Sequence, residues 1–230
     1  MNLPRQEDKG VFVESMFDRI ATRYDFMNRV ITFGIDRSWR RDAVRSLHLT
    51  PGQLVLDLAC GTGDLYVEAA AAGARVIGAD RAAEMLRVAR RRDTQALLVR
   101  ADAACLPLAD SSCDGLLCGF ALRNFVDLPR VFRECARVTK PGARLALLEV
   151  DTPSNPVLRW AHGVYFHRVV PWIGALLADR QAYDYLPSSA AYMPDSARLG
   201  TMLEECGFEN IHLRPLLGGV AQLITAGRRR

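Results

Sequence analysis

The sequence predicts an α/β fold: a doubly wound, mostly parallel, seven-stranded sheet in one domain spanning residues 1–230. Three observations predict it. An apolar run over 54–58 contains Asp57, crosses Cys60-Gly61-Thr62-Gly63 and opens a helical pattern at Asp64. Glycines at such a turn let the backbone approach a ligand that a side chain would obstruct. From residue 54 to residue 150, short apolar runs alternate with segments of helical periodicity, the pattern of βαβ units and parallel pairing. Finally, Asp57, Asp80 and Asp102 lie at or just beyond the ends of the first three predicted strands. Together these describe a Rossmann-like architecture that holds a nucleotide at the strands' carboxyl ends.

Residues 1–48 precede the first strand as a helical cap. Val11, Phe12, Met16, Phe17, Ile20, Ala21 and Tyr24 recur at helical spacing, and Asp36 stands as N-cap of a second short helix that turns Trp39, Val44 and Leu47 inward. Tyr24, Asp25 and Asn28 are polar groups on an otherwise apolar helix, which suits a lid over a ligand as well as a packing cap. Strands are expected at 54–58, 75–79, 96–100, 115–118 and 144–150, and helices at about 64–72, 82–91 and 128–138. The last of these helices stops at Lys140-Pro141-Gly142, where proline cannot continue a helix and glycine completes a turn. Residues 154–194 form an insertion dense in aromatics, among them Trp160, Tyr165, Phe166, Trp172, Tyr183, Tyr185 and Tyr192. A helix at about 196–206, ended by Gly207, then leads into strands near 210–214 and 220–226.

Composition bounds the function. Hydrophobic residues make up 50% of 230, enough for a substantial core. Thirty basic residues against 26 acidic give a net charge of +4, and only Lys9 and Lys140 are lysines. No basic stripe with interleaved aromatics runs along the chain, so nucleic acid is not an expected partner. The six cysteines form no Cys-x-x-Cys pair, and cysteines and histidines together lack metal-ligand spacing; reduced thiols and no metal are expected. The first residues carry no apolar signal core and no apolar run reaches membrane-span length, which predicts a cytoplasmic protein, at most peripheral to a membrane.

The turn itself selects among nucleotides. A dinucleotide site wants a third glycine, here Tyr66, and a pyrophosphate on the helix N-terminus, where Asp64 would repel it. An acid there suits a ligand with cationic groups, such as the ammonium and sulfonium of S-adenosylmethionine (SAM). Asp57, Gly61, Thr62 and Gly63 then frame the cofactor. Asp80, 17 positions after Gly63, accepts from the ribose hydroxyls or caps the following helix, with Arg81 beside it. Asp102 accepts from the adenine amine while the Ala103 N–H donates to the ring. Tyr24 from the lid and Gly119 after the fourth strand complete the set. Arg123 and Asn124 follow an apolar Phe120-Ala121-Leu122 where substrate would enter, and a guanidinium there can stabilise a phenolate. His162 and His167 in the insertion read as packing or surface residues.

With these residues in hand, the chain resembles the ubiquinone/menaquinone biosynthesis C-methyltransferases (UbiE/MenG family) over nearly its whole length. The resemblance rests on Met16-Phe17-Asp18-Arg19-Ile20-Ala21, Tyr24-Asp25, Met27-Asn28, the glycine motif through Asp64, Leu122-Arg123-Asn124, Lys140-Pro141-Gly142 and Ala182-Tyr183-Asp184-Tyr185-Leu186. It implies a class I methyltransferase fold with an N-terminal lid, and a SAM-dependent enzyme that methylates a ring carbon of a reduced polyprenyl quinone. Thr62, Asp80, Asp102 and Ala103 would lie in the cofactor site, Arg123 and Asn124 near the reacting ring, and the aromatic insertion over the substrate. A polyprenyl tail implies access to a bilayer surface. The chain departs from the family pattern at Gly119 and Ala121, at Val150-Asp151 and around Leu216-Leu217-Gly218-Gly219. Two other readings stand beside this one: a diverged relative that methylates a soluble aromatic natural product at carbon or oxygen, and a SAM-binding protein without catalysis. Self-association is left open.

Overall fold

The structure, a computed structural model, describes residues 5–170, 172, 185 and 188–230. Seven strands form one sheet: β1 (Leu54–Leu58), β2 (Arg75–Asp80), β3 (Leu97–Arg100), β4 (Cys113–Gly119), β5 (Thr139–Val150), β6 (Phe208–Leu216) and β7 (Ala221–Arg228). Their order is β3-β2-β1-β4-β5-β7-β6. The first five are mutually parallel, and β7 runs antiparallel to both β5 and β6. Central strands buried on both faces read as apolar runs, unbroken in Leu145–Leu148 and interrupted only by the buried Asp57 in Leu54–Leu58.

Side-chain alternation assigns the two layers. Val55, Leu117, Ala146 and Leu148 face α2 (Asp36–Ser46) and α3 (Asp64–Ala71), meeting Trp39, Val44, Leu65 and Ala69. Leu56, Leu58, Leu116, Cys118, Leu145 and Leu147 face the other way, onto Val131, Phe132 and Cys135 of α5 (Leu128–Val138) and Leu199 and Leu203 of α7 (Ser196–Glu205). A third cluster joins Met16, Ile20, Ala21 and Met27 of α1 (Gln6–Thr32) to Met85 of α4 (Ala83–Arg92), with Tyr185. The N-terminal helix is thereby packed across the carboxyl ends of the strands. After β5, α6 (Pro156–Val164) is capped by Asn155, whose side chain accepts from the Val157 and Leu158 amides, and continues as a π turn over Tyr165–Val169.

The predicted elements form, with three local differences. Asp36 is the first residue of α2 rather than its cap, because its carboxylate is taken by the buried Arg40 and by the Thr32 hydroxyl. Strand β5 starts at Thr139 instead of Arg144. Its pairing with β4 jumps from Cys113↔Thr139 to Gly115↔Arg144, so Lys140-Pro141-Gly142 is an outward loop within the strand, with Gly142 at φ +82°. Helix α4 is flanked by Ala82, not Asp80, and its Glu84 amide is capped from outside by Asp18 of α1 at 2.8 Å. Tyr183, Asp184 and Leu186 of the family-like motif lie outside the described residues.

Candidate active site

At the carboxyl ends of β1, β2 and β4 lies a cavity of about 270 Å³. Leu58, Ala59, Gly61, Asp80, Arg81, Met85, Asp102, Ala103, Gly119, Phe120 and Asn124 wall it, and Gly10, Val13, Glu14, Phe17 and Tyr24 of α1 close it. The backbone is bent sharply to make this floor. Gly61 and Gly63 hold φ values of +54° and +90°, where glycine is unstrained. Ala59 and Phe120 adopt φ +54° and +59°, at a cost of about 1–2 kcal/mol each for a side chain in the left-handed region.

Asp80 ties the floor together. One carboxylate oxygen accepts from the Gly61 amide at 2.7 Å and the other from the Ala82 amide at 2.8 Å. Burial pushes its pKa up, and the backbone amides of Ala82, Gly61 and Arg81 only partly offset this. Arg81 bridges Glu14 of the lid at 2.7 Å and Asp102 at 3.3 Å, while Arg100 holds the other Glu14 oxygen at 2.7 Å. Burial acts to raise the Glu14 pKa, but Arg100 and Arg81 outweigh it and hold the group below its ordinary value. These pairs form a clasp between α1 and the rim of the cavity.

Asp57, Thr62 and Gly63, expected around the cofactor, adjoin the lining residues Leu58 and Gly61 in sequence without lining this cavity themselves. Asp57 is buried, and among the described residues neither carboxylate oxygen makes a hydrogen bond of good geometry. Burial pushes its pKa up to about 8; the nearby Tyr66 backbone amide opposes this only weakly, and the Asp80 charge adds to it. The Thr62 hydroxyl donates to Asp25 of α1, and Arg92 reaches Asp25 at 3.0 Å, the Thr62 carbonyl at 3.0 Å and Asp64 at 2.8 Å. The acid expected to face a cationic ligand is therefore paired: Asp64 meets Arg92 and, at 3.5 Å, Arg40. Its charge serves the lid latch, because two arginines approach it from α2 and α4.

A second cavity of about 590 Å³ adjoins the first and shares Tyr24 and Phe120 with it. Its lining is mostly apolar, from Ile31, Phe33, Trp39, Leu158, Phe166 and Leu217, with Arg123 on its wall. The short turn Leu122–Asn124 thus sends consecutive residues to different chambers, Asn124 to the first and Arg123 to the second. Arg123 is buried against Glu149, donates from Nη1 to the Phe120 carbonyl at 2.9 Å and from Nε to Ser189 at 3.1 Å. The Asn124 side-chain Oδ1 accepts from the Tyr185 hydroxyl at 3.3 Å. Tyr24, at the junction, has its phenol pKa raised by burial. Glu149 and Arg40 escaped the sequence reading. The signal was there for Glu149: an acid inside Leu145–Val150, an otherwise apolar central strand, requires a buried partner.

The first chamber fits SAM on its own chemistry. Two carboxylates, Asp80 and Asp102, line the cavity among apolar groups such as Leu58, Ala79, Met85 and Val131 and can accept from hydroxyl and amine donors, and a further buried acid, Asp57, precedes Leu58 in β1. Among the described residues no cluster of histidine, cysteine and acid is arranged to hold a metal, and the six cysteines are free thiols.

Comparison with known proteins agrees with this reading. A ubiquinone/menaquinone biosynthesis C-methyltransferase from Syntrophotalea carbinolica is 41% identical over 225 residues, covering 95% of each chain. A demethylmenaquinone methyltransferase from a Roseiflexus species is 41% identical over 233 residues, covering 99% of this chain and 98% of that one. Among solved structures, a SAM-dependent methyltransferase from Thermotoga maritima superposes with a TM-score of 0.65 at 20% identity over 94% of this chain and 99% of that one, which speaks to the fold. The model of the ubiE/COQ5 methyltransferase family matches residues 4–228. With a class I sheet, a cavity whose carboxylate acceptors suit SAM and a family match over almost its entire length, the chain belongs to the ubiE/COQ5 methyltransferases and is a SAM-dependent enzyme.

Proposed function

We propose that this enzyme methylates a ring carbon of a reduced polyprenyl quinone, demethylmenaquinol or a similar quinol. The observation that carries the reading is the large apolar chamber joined to the cofactor chamber at Tyr24 and Phe120. A hydrophobic ring bound there has its reacting face at that junction. Bound SAM supplies an electrophilic methyl group. The chain supplies position and electrostatics: walls that exclude water, and Arg123 held by Glu149, Ser189 and the Phe120 carbonyl. Arg123 Nη2 makes no hydrogen bond among the described residues and is available to a phenolate oxygen. An electron-rich phenolate makes the ring carbon a better nucleophile, whereas an oxidised quinone has lost that electron density.

The second chamber also accounts for a long apolar tail. Phe33 and Leu217 on its wall are 78% and 58% exposed, and Ile35 and Leu158 are exposed beside them. The exposed Arg29 and Arg37 flank this rim in sequence. Such a rim suits contact with the surface of an anionic bilayer, from which a polyprenyl chain enters. No described helix is long and apolar enough to cross a membrane.

The test is transfer of a labelled methyl group from SAM to demethylmenaquinol, its oxidised form and a panel of soluble phenols. Transfer to the reduced quinol alone is expected. Transfer only to soluble aromatics supports the diverged relative, and tight SAM binding without transfer to any acceptor supports a non-catalytic protein.

A further inference from the structure

Replacing a ring C–H by C–CH₃ has a proton balance. The ring's π electrons form the new C–C bond, the electron pair of the broken C–S bond goes to sulfur and cancels its positive charge, and the ring hydrogen leaves as a proton. Each turnover must therefore export one proton from an apolar chamber. Few groups on that chamber's wall can take it. Arg40 and Arg123 are cations. Asp36 is engaged by Arg40 and the Thr32 hydroxyl. Burial raises the phenol pKa values of Tyr24 and Tyr165, so both stay protonated near neutrality, and the Tyr165 hydroxyl donates to the Ile31 carbonyl at 2.8 Å. Among the described residues, what is left is the imidazole of His162, on α6.

A second observation gives the proton a way out. Beside the apolar chamber lies a third cavity of about 430 Å³, lined by polar groups that include Asp151, Arg159, Asp195 and Gln222. Among the described residues Val150, His162 and Phe166 belong to both walls, and of these three His162 alone carries an ionisable side chain. Its ring sits 4.9 Å from that of Phe166, which restricts its orientation between the two spaces. The charged groups that face this partition are Asp151, Arg159 and Asp195 on the polar side and Arg123, Arg40 and Asp36 on the apolar side. Arg159 is occupied by the Pro153 and Ser154 carbonyls, so it stands as a fixed cation rather than a proton carrier.

We propose that His162 is the general base of the methyl transfer, taking the ring proton in the apolar chamber and releasing it into the polar cavity lined by Asp151 and Asp195. The inference rests on the quinol-methylation reading and specifies its missing proton acceptor. It is tested on the full-length enzyme with SAM and reduced quinol, comparing His162→Gln and His162→Ala with the wild type. Calorimetric SAM binding, read without acceptor, is expected to stay within about twofold, because His162 lies outside the cofactor chamber. The kcat is expected to fall by about 10²–10⁴ in both variants, with loss of the limb of the pH profile that reports the base. Added imidazole is expected to restore turnover in His162→Ala, with rescue that follows the basicity of substituted imidazoles; a purely structural role would not respond to that series. A His162→Gln enzyme with near-wild-type kcat, or a His162→Ala enzyme indifferent to imidazole, overturns the inference while leaving quinol methylation standing. A wild type that methylates no acceptor overturns both.

Discussion

The guanidinium of Arg123 and the carboxylate of Glu149 form an ion pair with both side chains buried, 5% and 0% exposed. The pair spans the turn after β4 and the end of β5, adjacent strands whose parallel register sets Gly119 opposite Leu148. Glu149 also accepts from the Arg123 amide at 3.3 Å and the Val150 amide at 2.9 Å. The cation is thus neutralised and fixed before any substrate arrives.

Removing one member of such a pair leaves an uncompensated buried charge, which costs about 3–5 kcal/mol. Glu149→Ala is expected to lose that much stability in urea denaturation, and Glu149→Gln less, since the amide oxygen still accepts. Arg123→Lys keeps a charge but loses the fork that serves Phe120 and Ser189 together. It is expected to lower kcat at least tenfold, roughly, while SAM affinity measured by calorimetry stays within about twofold. Equal losses in both would place Arg123 in the cofactor site.

Thr62 and Asp25 connect the glycine loop to the lid, 37 positions apart in sequence. Thr62→Val keeps the shape and removes the donor. At about 1 kcal/mol for one hydrogen bond, SAM affinity is expected to fall about fivefold. Amide hydrogen exchange should quicken in α1 without changing in the central strands. Because the two residues share this contact, adding Asp25→Ala, which also releases Arg92, should cost less than the sum of the two single changes.

Asp57 ionises at about 8 in the folded chain and near 4 when unfolded. Between those values the native state holds the extra proton, so stability is full below the lower pKa and falls as pH rises toward 8. Asp57→Asn is expected to remove part of this slope, leaving a variant more stable than the wild type at pH 9 by roughly a few kcal/mol and no more stable at pH 4. Asp80, raised in the same direction by burial, retains the rest. Denaturation midpoints across this pH range measure the difference.

The exposed rim of the apolar chamber predicts a substrate-length effect. Phe33→Asp combined with Leu158→Glu is expected to raise KM for a long-chain quinol in anionic vesicles by about tenfold, roughly the cost of losing one or two apolar contacts. The KM for a water-soluble short-chain quinol should change little. Parallel increases for both substrates would make the rim part of ring binding.

Much of the architecture was legible in the chain. Leu54 to Asp64 marks a strand, a left-handed turn and a helix start through its own neighbours, and Gly61 and Gly63 adopt the positive φ values that such a turn requires. The apolar spacing of α1 was equally plain, and its Tyr24 lines the cavity at the carboxyl ends of the strands. The roles of several charged residues were not. Asp64, an acid whose sequence position suits a cationic ligand, pairs with Arg92 and Arg40, partners that its neighbours in sequence do not announce. Asp36 looked like a helix cap and instead serves Arg40.

By itself the sequence determined the class of fold, the order of elements and the nucleotide-binding end of the sheet, because periodicity and turn chemistry act between residues a few positions apart. Only the tertiary structure decided which charges meet and which chamber each side chain enters. Arg123 finds Glu149 across 26 positions and Ser189 across 66, and Asp25 meets Arg92 across 67. Burial drives such pairings, since a charge removed from water must be matched nearby or lost to a proton, as at Asp57. Which partner matches it depends on how lid, sheet and insertion pack, and no local pattern encodes that.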